Sequence, residues 1–94
     1  MRLKINEETY IIQFYHGQET TKRKRRFTEC VVKKFLPLIN DYEYVTHSVT
    51  YCDKHAQFIK KSGRKYALTN ALRDHFSRLE RTQIWNSYWA EHKV

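Results

Sequence analysis

Apolar residues recur with a period of two in the first half of the chain and with a period near 3.6 in the second, and the change falls close to residue 53. A chain that switches once from strand pattern to helix pattern has few architectures open to it. The strands must pair among themselves, and the helices must then cover the sheet they follow. Leu3 and Ile5 alternate with polar residues, Asn6-Glu7-Glu8-Thr9 interrupts with turn chemistry, and Tyr10, Ile12 and Phe14 resume the alternation. Residues 2–16 are therefore predicted to form a β-hairpin. Gly17 is expected to end that strand, leaving residues 17–26 as a polar loop. FTECVVKKFL at 27–36 is rich in β-branched and aromatic residues and predicts a third strand, which Pro37 closes because it lacks an amide donor. LINDYE turns the chain into a fourth strand, EYVTHSVTYC at 43–52, with Val45, Val49 and Tyr51 expected on one side and His47 among them.

Beyond the switch, Asp53 is placed to cap a helical turn through KHAQFIKK, which Gly63 is expected to interrupt. Ala67, Leu68, Ala71, Leu72 and Phe76 then fall on one helical face. Ser77-Arg78-Leu79-Glu80 has the S-x-x-E capping-box pattern, in which hydroxyl and carboxylate each satisfy a free backbone N–H. It opens a second helix whose apolar stripe is Ile84, Trp85, Tyr88 and Trp89. The predicted fold class is α+β: a four-stranded, mostly antiparallel sheet followed by two C-terminal helices packed on one face. Residues 1–94 make a single domain, with a β-sheet half at 1–52 and a helical half at 53–94. Most of the large aromatics, including Phe14, Phe35, Phe58, Tyr51, Trp85 and Trp89, are assigned to the core. A chain of 94 residues has few large aliphatics to spare, and it buries only about 60–65% of its unfolded surface.

Charge is the second strong constraint. The chain has 18 basic and 10 acidic residues, a formal net charge of +8, and 15% aromatic residues. The aromatic content excludes a disordered tail. The excess of cations predicts an anionic partner: nucleic acid first, an acidic protein surface next. MRLKINEETY contains no apolar stretch of signal-peptide type, and no run approaches the ~18 apolar residues of a membrane span. The expected setting is the cytoplasm, with no membrane partner and with Cys30 and Cys52 reduced.

Half of the cations fall in two clusters. Lys22, Arg23, Lys24, Arg25 and Arg26 stand in unbroken succession between two predicted strands. A run with no interleaved acid reads as a phosphate-binding loop, since each cation that neutralises a phosphate releases condensed counterions. Lys60, Lys61, Arg64 and Lys65 bracket Ser62-Gly63 where a helix begins, and helix N-termini with free N–H groups attract anions. Lys33 and Lys34 extend the basic surface along the third strand. Tyr42 and Tyr44, near a turn, are candidates for stacking on bases or anchoring an interface. The two clusters form one patch if the loop at 17–26 lies on the same side as the turn at 60–65.

Other chemistries find little support. Cys30, His47, Cys52 and His55 contain two metal-ligand types, but no C-x2-C knuckle is present, and small core cysteines are the simpler reading. No metal or cofactor is expected. With two glycines there is no Gly-rich phosphate loop, and no H-E-x-x-H, G-x-S-x-G or paired-carboxylate spacing occurs. A non-catalytic protein is expected.

The stretch Phe58-x-x-Lys61-x-Gly63-Arg64-Lys65-x-Ala67-Leu68-x-x-Ala71-Leu72, preceded by Thr28-Glu29-Cys30 and followed by Arg81-x-x-Ile84-Trp85-x-x-Tyr88, resembles a group of small phage-encoded proteins. These share a short β-rich half, a Gly-Arg-Lys helix start and an Arg/Ile/Trp/Tyr C-terminal helix. The resemblance implies a phage or prophage origin, and hence the cytoplasm of a bacterial host. The KRKRR run is not part of that pattern and is particular to this chain. The leading expectation is a nucleic-acid-binding phage protein, DNA or RNA. The alternative is an inhibitor that occludes an acidic or nucleic-acid-binding host protein of the defence or transcription machinery.

Overall fold

The computed structural model describes residues 1–52 and 57–92. The expected α+β architecture is present. Strands β1 (Arg2–Ile5), β2 (Glu8–Gln18), β3 (Arg26–Leu36) and β4 (Asp41–Tyr51) form an antiparallel meander in the order β1-β2-β3-β4. Helices α1 (Lys60–Leu72) and α2 (Arg78–Glu91) follow and pack on the same sheet face. The Asp53 cap and the turn it was to begin lie outside the described residues, as does His55.

Register explains which side chains meet the helices. Tyr10, Ile12, Phe14 and His16 of β2 oppose Lys34, Val32, Cys30 and Thr28 of β3, and Thr46, Ser48 and Thr50 continue the last three of these rows on β4. Directly opposed residues share a face, so these rows form the inner surface. Ile12, Thr28, Cys30 and Val32 are fully buried beneath Ala67, Leu68, Ala71 and Leu72 of α1 and Ile84 and Tyr88 of α2. Truncating Leu68 or Leu72 to Ala there should cost about 2–5 kcal/mol. α1 lies over β3 and β4, with the Ser48 hydroxyl donating to the Ala67 carbonyl. α2 and the Phe76 that precedes it close the β1–β2 side: Phe76 meets Tyr10 at 5.5 Å, Tyr88 meets Phe14 at 5.9 Å, and Glu91 reaches the N-terminal ammonium at 3.9 Å.

The two glycines correct two boundaries. Gly63 does not interrupt a helix. It lies within the first turn of α1 and its N–H donates to the Ile59 carbonyl at 3.0 Å. A Cβ there would sit 2.2 Å from Thr28 Oγ1, so glycine permits close helix–sheet approach. Gly17 does not end β2, which continues to Gln18. The Phe27 ring of the neighbouring strand lies where a Cβ on Gly17 would be, 2.7 Å from Cζ. The first turn is also tighter than expected. Asn6 and Glu7 alone form it, both with positive φ (50° and 69°), as a two-residue hairpin connection requires.

The fourth strand departs from simple alternation. Val32 pairs with Thr46 but Lys33 with Tyr44, so Val45 is a bulge residue. It packs against the core, whereas His47, Val49 and Tyr51 line the opposite, uncovered face. Among the described residues, no helix is long and apolar enough to cross a membrane.

Candidate nucleic-acid interface

The meander places the β2–β3 loop, the end of β4 and the start of α1 at one end of the sheet, the cationic end. The two basic clusters therefore meet. The loop is closed by Glu19 N–H donating to the Arg25 carbonyl at 2.9 Å and narrowed by Lys24 N–H donating to the Thr21 carbonyl at 3.1 Å. Lys24 takes a positive φ of 49°, and Gln18 Nε2 donates to its carbonyl at 2.8 Å.

Within the run, the five cations have different work. Arg25 is structural. Its Nε donates to Glu19 Oε1 at 2.9 Å, its backbone N–H binds the same oxygen, and its guanidinium covers the Tyr51 ring at 4.4 Å. The hydrogen bond from Arg25 holds the Glu19 carboxyl below the usual carboxylate range and raises the guanidinium in turn. Arg26 lies over the Phe58 ring at 4.7 Å. Lys22, Arg23 and Lys24 stand exposed at the tip and make no ion pair among the described residues.

The second cluster faces the first across His16. This histidine binds Thr28 Oγ1 through Nδ1 at 2.8 Å and meets the edge of Phe58 at 5.8 Å. Burial lowers its pKa from 6.5, and the charges of Arg64, Lys60 and Arg26 lower it further. Cations from both clusters thus act on one imidazole. The Arg64 Nε nearby is buried with no hydrogen-bond partner among the described residues. Lys65 turns toward α2, over Trp89 at 5.3 Å, where Trp85 and Trp89 stack at 5.9 Å. α1 starts at Ile59, which supplies no side-chain cap, with no acid in its first turn, so Lys60, Lys61 and Arg64 stand beside its leading N–H groups.

Lys33 and Lys34 do not join this cluster. Both lie toward the other end of β3, where Lys34 is held by Glu8 at 3.6 Å and Glu43 at 3.9 Å. Tyr42 and Tyr44 are also at that end, on the open face, with Tyr42 accepting from Arg2 Nη2 at 3.4 Å and Tyr44 bonded to His47. Cys30 is buried on the inner face, its thiol pushed up to about 12 by burial and the nearby Glu29. His47 is on the outer face, so the two are not poised to share a metal.

His16 was missed as a site residue. Its place could be read from the alternation Tyr10, Ile12, Phe14, His16, which carries it onto the inner face. Tyr51 and Trp89, assigned to the core, are instead 47% and 44% exposed. Comparison with protein-family models, with curated proteins and with solved structures finds no match to this chain, so the reading of the site rests on its geometry.

Proposed function

We propose that this protein binds nucleic acid through the phosphate backbone, without catalysis. The observation that carries the reading is the convergence of both basic clusters at one end of the sheet. Arg26, Lys60 and Arg64 surround His16, and Lys22, Arg23 and Lys24 project beside them. Glu19, the acid within the loop, is already engaged by Arg25. Like charges held this close repel one another, and a phosphodiester chain relieves the repulsion while releasing its own counterions. Lys22, Arg23, Lys24 and Arg26 supply one set of contacts, and Lys60, Lys61 and Arg64 the second. Binding to a labelled oligonucleotide, measured across ionic strength, should weaken linearly on a log–log scale with a slope of several units. A flat salt dependence, or no binding in dilute buffer, removes the reading.

A second reading, docking onto a protein of a bacterial host, is favoured by one feature. Leu38, 99% exposed, and its neighbour Ile39 form an apolar tip between β3 and β4, at the other end from the cations. Protein capture by the Leu38 tip that persists after nuclease treatment would support it.

A further inference from the structure

Among the described residues, the sheet has one face covered by both helices and one left open. Ile11, Gln13, Tyr15 and Gly17 of β2 oppose Lys33, Val31, Glu29 and Phe27 of β3 on this outer surface, and Tyr44, His47, Val49 and Tyr51 continue it on β4. We propose that this open face is a stacking platform for single-stranded nucleic acid, an inference that rests on the phosphate-binding reading above and adds the class of strand.

Four observations carry it. First, the face displays aromatic rings rather than packing them: Tyr15 is 48% exposed, Tyr51 47% and Tyr44 57%. Second, Gly17 leaves its site to the Phe27 ring, which lies across β2 and meets Tyr51 at 6.0 Å, so adjacent strands present a joined aromatic surface. Third, the platform is continuous with the cationic loop, because the Arg25 guanidinium reaches from that loop onto Tyr51 at 4.4 Å. A base extends such a stack on either an aromatic ring or a guanidinium plane. Fourth, the charge on the face suits a polyanion: Arg2, Lys4 and Lys33 share it with Glu29, and Lys4 alone of the three is ion-paired among the described residues, to Glu7 of the first turn at 3.9 Å.

The same features select the strand. Bases in a duplex already stack on one another, and rings on a sheet surface reach only its backbone. Unpaired bases offer free π-faces, and their recognition on open sheets with aromatic side chains follows from that. From Tyr51 to Tyr44 the platform runs roughly 23 Å along β4, at about 3.3 Å per residue, which suits the short end of the ~4–16-nucleotide sites of such proteins. A second copy of this chain fits poorly, since two cationic faces would oppose each other.

The test compares fluorescein-labelled oligothymidylate and oligouridylate of about 15 nucleotides with a duplex of equal length, by anisotropy at several salt concentrations. Wild-type protein should prefer single strands. Tyr15→Ala and Tyr51→Ala change exposed residues, and their folding is checked by thermal unfolding. Each should weaken single-strand binding roughly 5- to 100-fold, leave duplex binding near wild type, and leave the salt slope unchanged. Equal affinity for single strands and duplex, with both tyrosine variants unchanged, overturns the platform while phosphate binding stands. Competition by poly-glutamate as strong as by oligothymidylate overturns it too, because charge alone would then explain binding. Failure to bind any polynucleotide removes both readings. A nuclease-treated dimer that Tyr51→Ala dissociates assigns the face to a second copy and also overturns it.

Discussion

The two helices begin at opposite ends of the sheet, and they begin in opposite ways. α2 opens with a complete capping box at the end that carries the β1–β2 and β3–β4 turns. Glu80 N–H donates to Ser77 Oγ at 3.2 Å, Ser77 N–H donates to Glu80 Oε1 at 2.8 Å, and Asn6 Nδ2 adds a third bond to Glu80 at 3.2 Å. The Ser77 N–H foremost, then the Ser77 hydroxyl and Asn6, hold the Glu80 carboxyl below its ordinary range. α1 opens at the cationic end on Ile59, with no side-chain cap, no acid in its first turn and Lys60, Lys61, Arg64 and Lys65 around it. Helix dipole and cations oppose each other there, where at α2 dipole and carboxylate agree. Charge follows the same division. Lys34 is flanked by Glu8 and Glu43, while Lys22, Arg23 and Lys24 find no acid among the described residues. One end closes its helix start with its own side chains, and the other, among the described residues, does not.

The largest expected effect tests that division through binding. Changing Lys22, Arg23 and Lys24 together to Ala should reduce the salt slope by about 2–3 units and weaken nucleic-acid binding about 100-fold at 0.1 M salt. The matching triple change at the opposite end, Lys34, Arg73 and Arg78 to Ala, should alter affinity by about threefold or less, because Lys34 is held between Glu8 and Glu43 and all three lie at the far end of the sheet, beyond a Debye length of roughly 10 Å from the cationic loop. Equal losses from the two triples would show that net charge, not its placement, governs binding. Arg25 is left out of the first triple because its ion pair with Glu19 closes the loop.

The next effect concerns how the cationic end is held in place. Gly63→Ala should destabilise the fold by about 1–3 kcal/mol in chemical denaturation, despite alanine's better helix propensity. The added Cβ meets Thr28 Oγ1, a buried atom also bonded to His16, which has little room to retreat. Gly17→Ala should cost less, since the ring it displaces lies on the open face. A Gly63→Ala variant of wild-type stability would mean that α1 does not press on the sheet at this point.

Smaller effects of opposite sign are expected at the two helix starts. Ser77→Ala should lower stability by about 1 kcal/mol. Ile59→Asp should raise it by a similar amount, by supplying the missing cap and opposing the local positive charge. The same change should weaken nucleic-acid binding several-fold. Stability gained without affinity lost would separate α1's start from the binding surface.

The fold was legible because its signals were local and repeated. The alternation through Tyr10, Ile12 and Phe14 and the Ser77–Glu80 box were read directly from spacing, and the structure holds both. What was hidden depended on partners distant in sequence. Gly63 looked like a helix breaker because its reason is Thr28, 35 positions earlier in the numbering. Tyr51 looked like core because nothing local says which sheet face the helices will choose. The bulge at Val45 changed the side assigned to that residue, and a bulge leaves no mark in hydrophobic pattern. For the site, both cation clusters were visible in the sequence, but their meeting around His16 follows from the hairpin register. So does the separation of Lys33 and Lys34 from them.

The smallest effect, at most one proton, reports on the cationic end from within. His16 faces Arg26 from β3 and Lys60 and Arg64 from α1, and burial together with these charges lowers its pKa from 6.5. The unfolded chain therefore binds the proton more readily than the folded one. The native state should lose stability as pH falls below about 6.5, the unperturbed histidine value, and recover it above. His16→Gln should flatten that dependence. Bound phosphate neutralises the surrounding cations, which raises the imidazole pKa, so binding draws in a proton and affinity should strengthen as pH falls through the same range. A His16 resonance followed by NMR titration, with and without oligonucleotide, measures the shift directly. An upward shift on binding places phosphate beside Arg26, Lys60 and Arg64. An unmoved His16 would confine contact to the loop tip and leave α1's uncapped start without a role in binding.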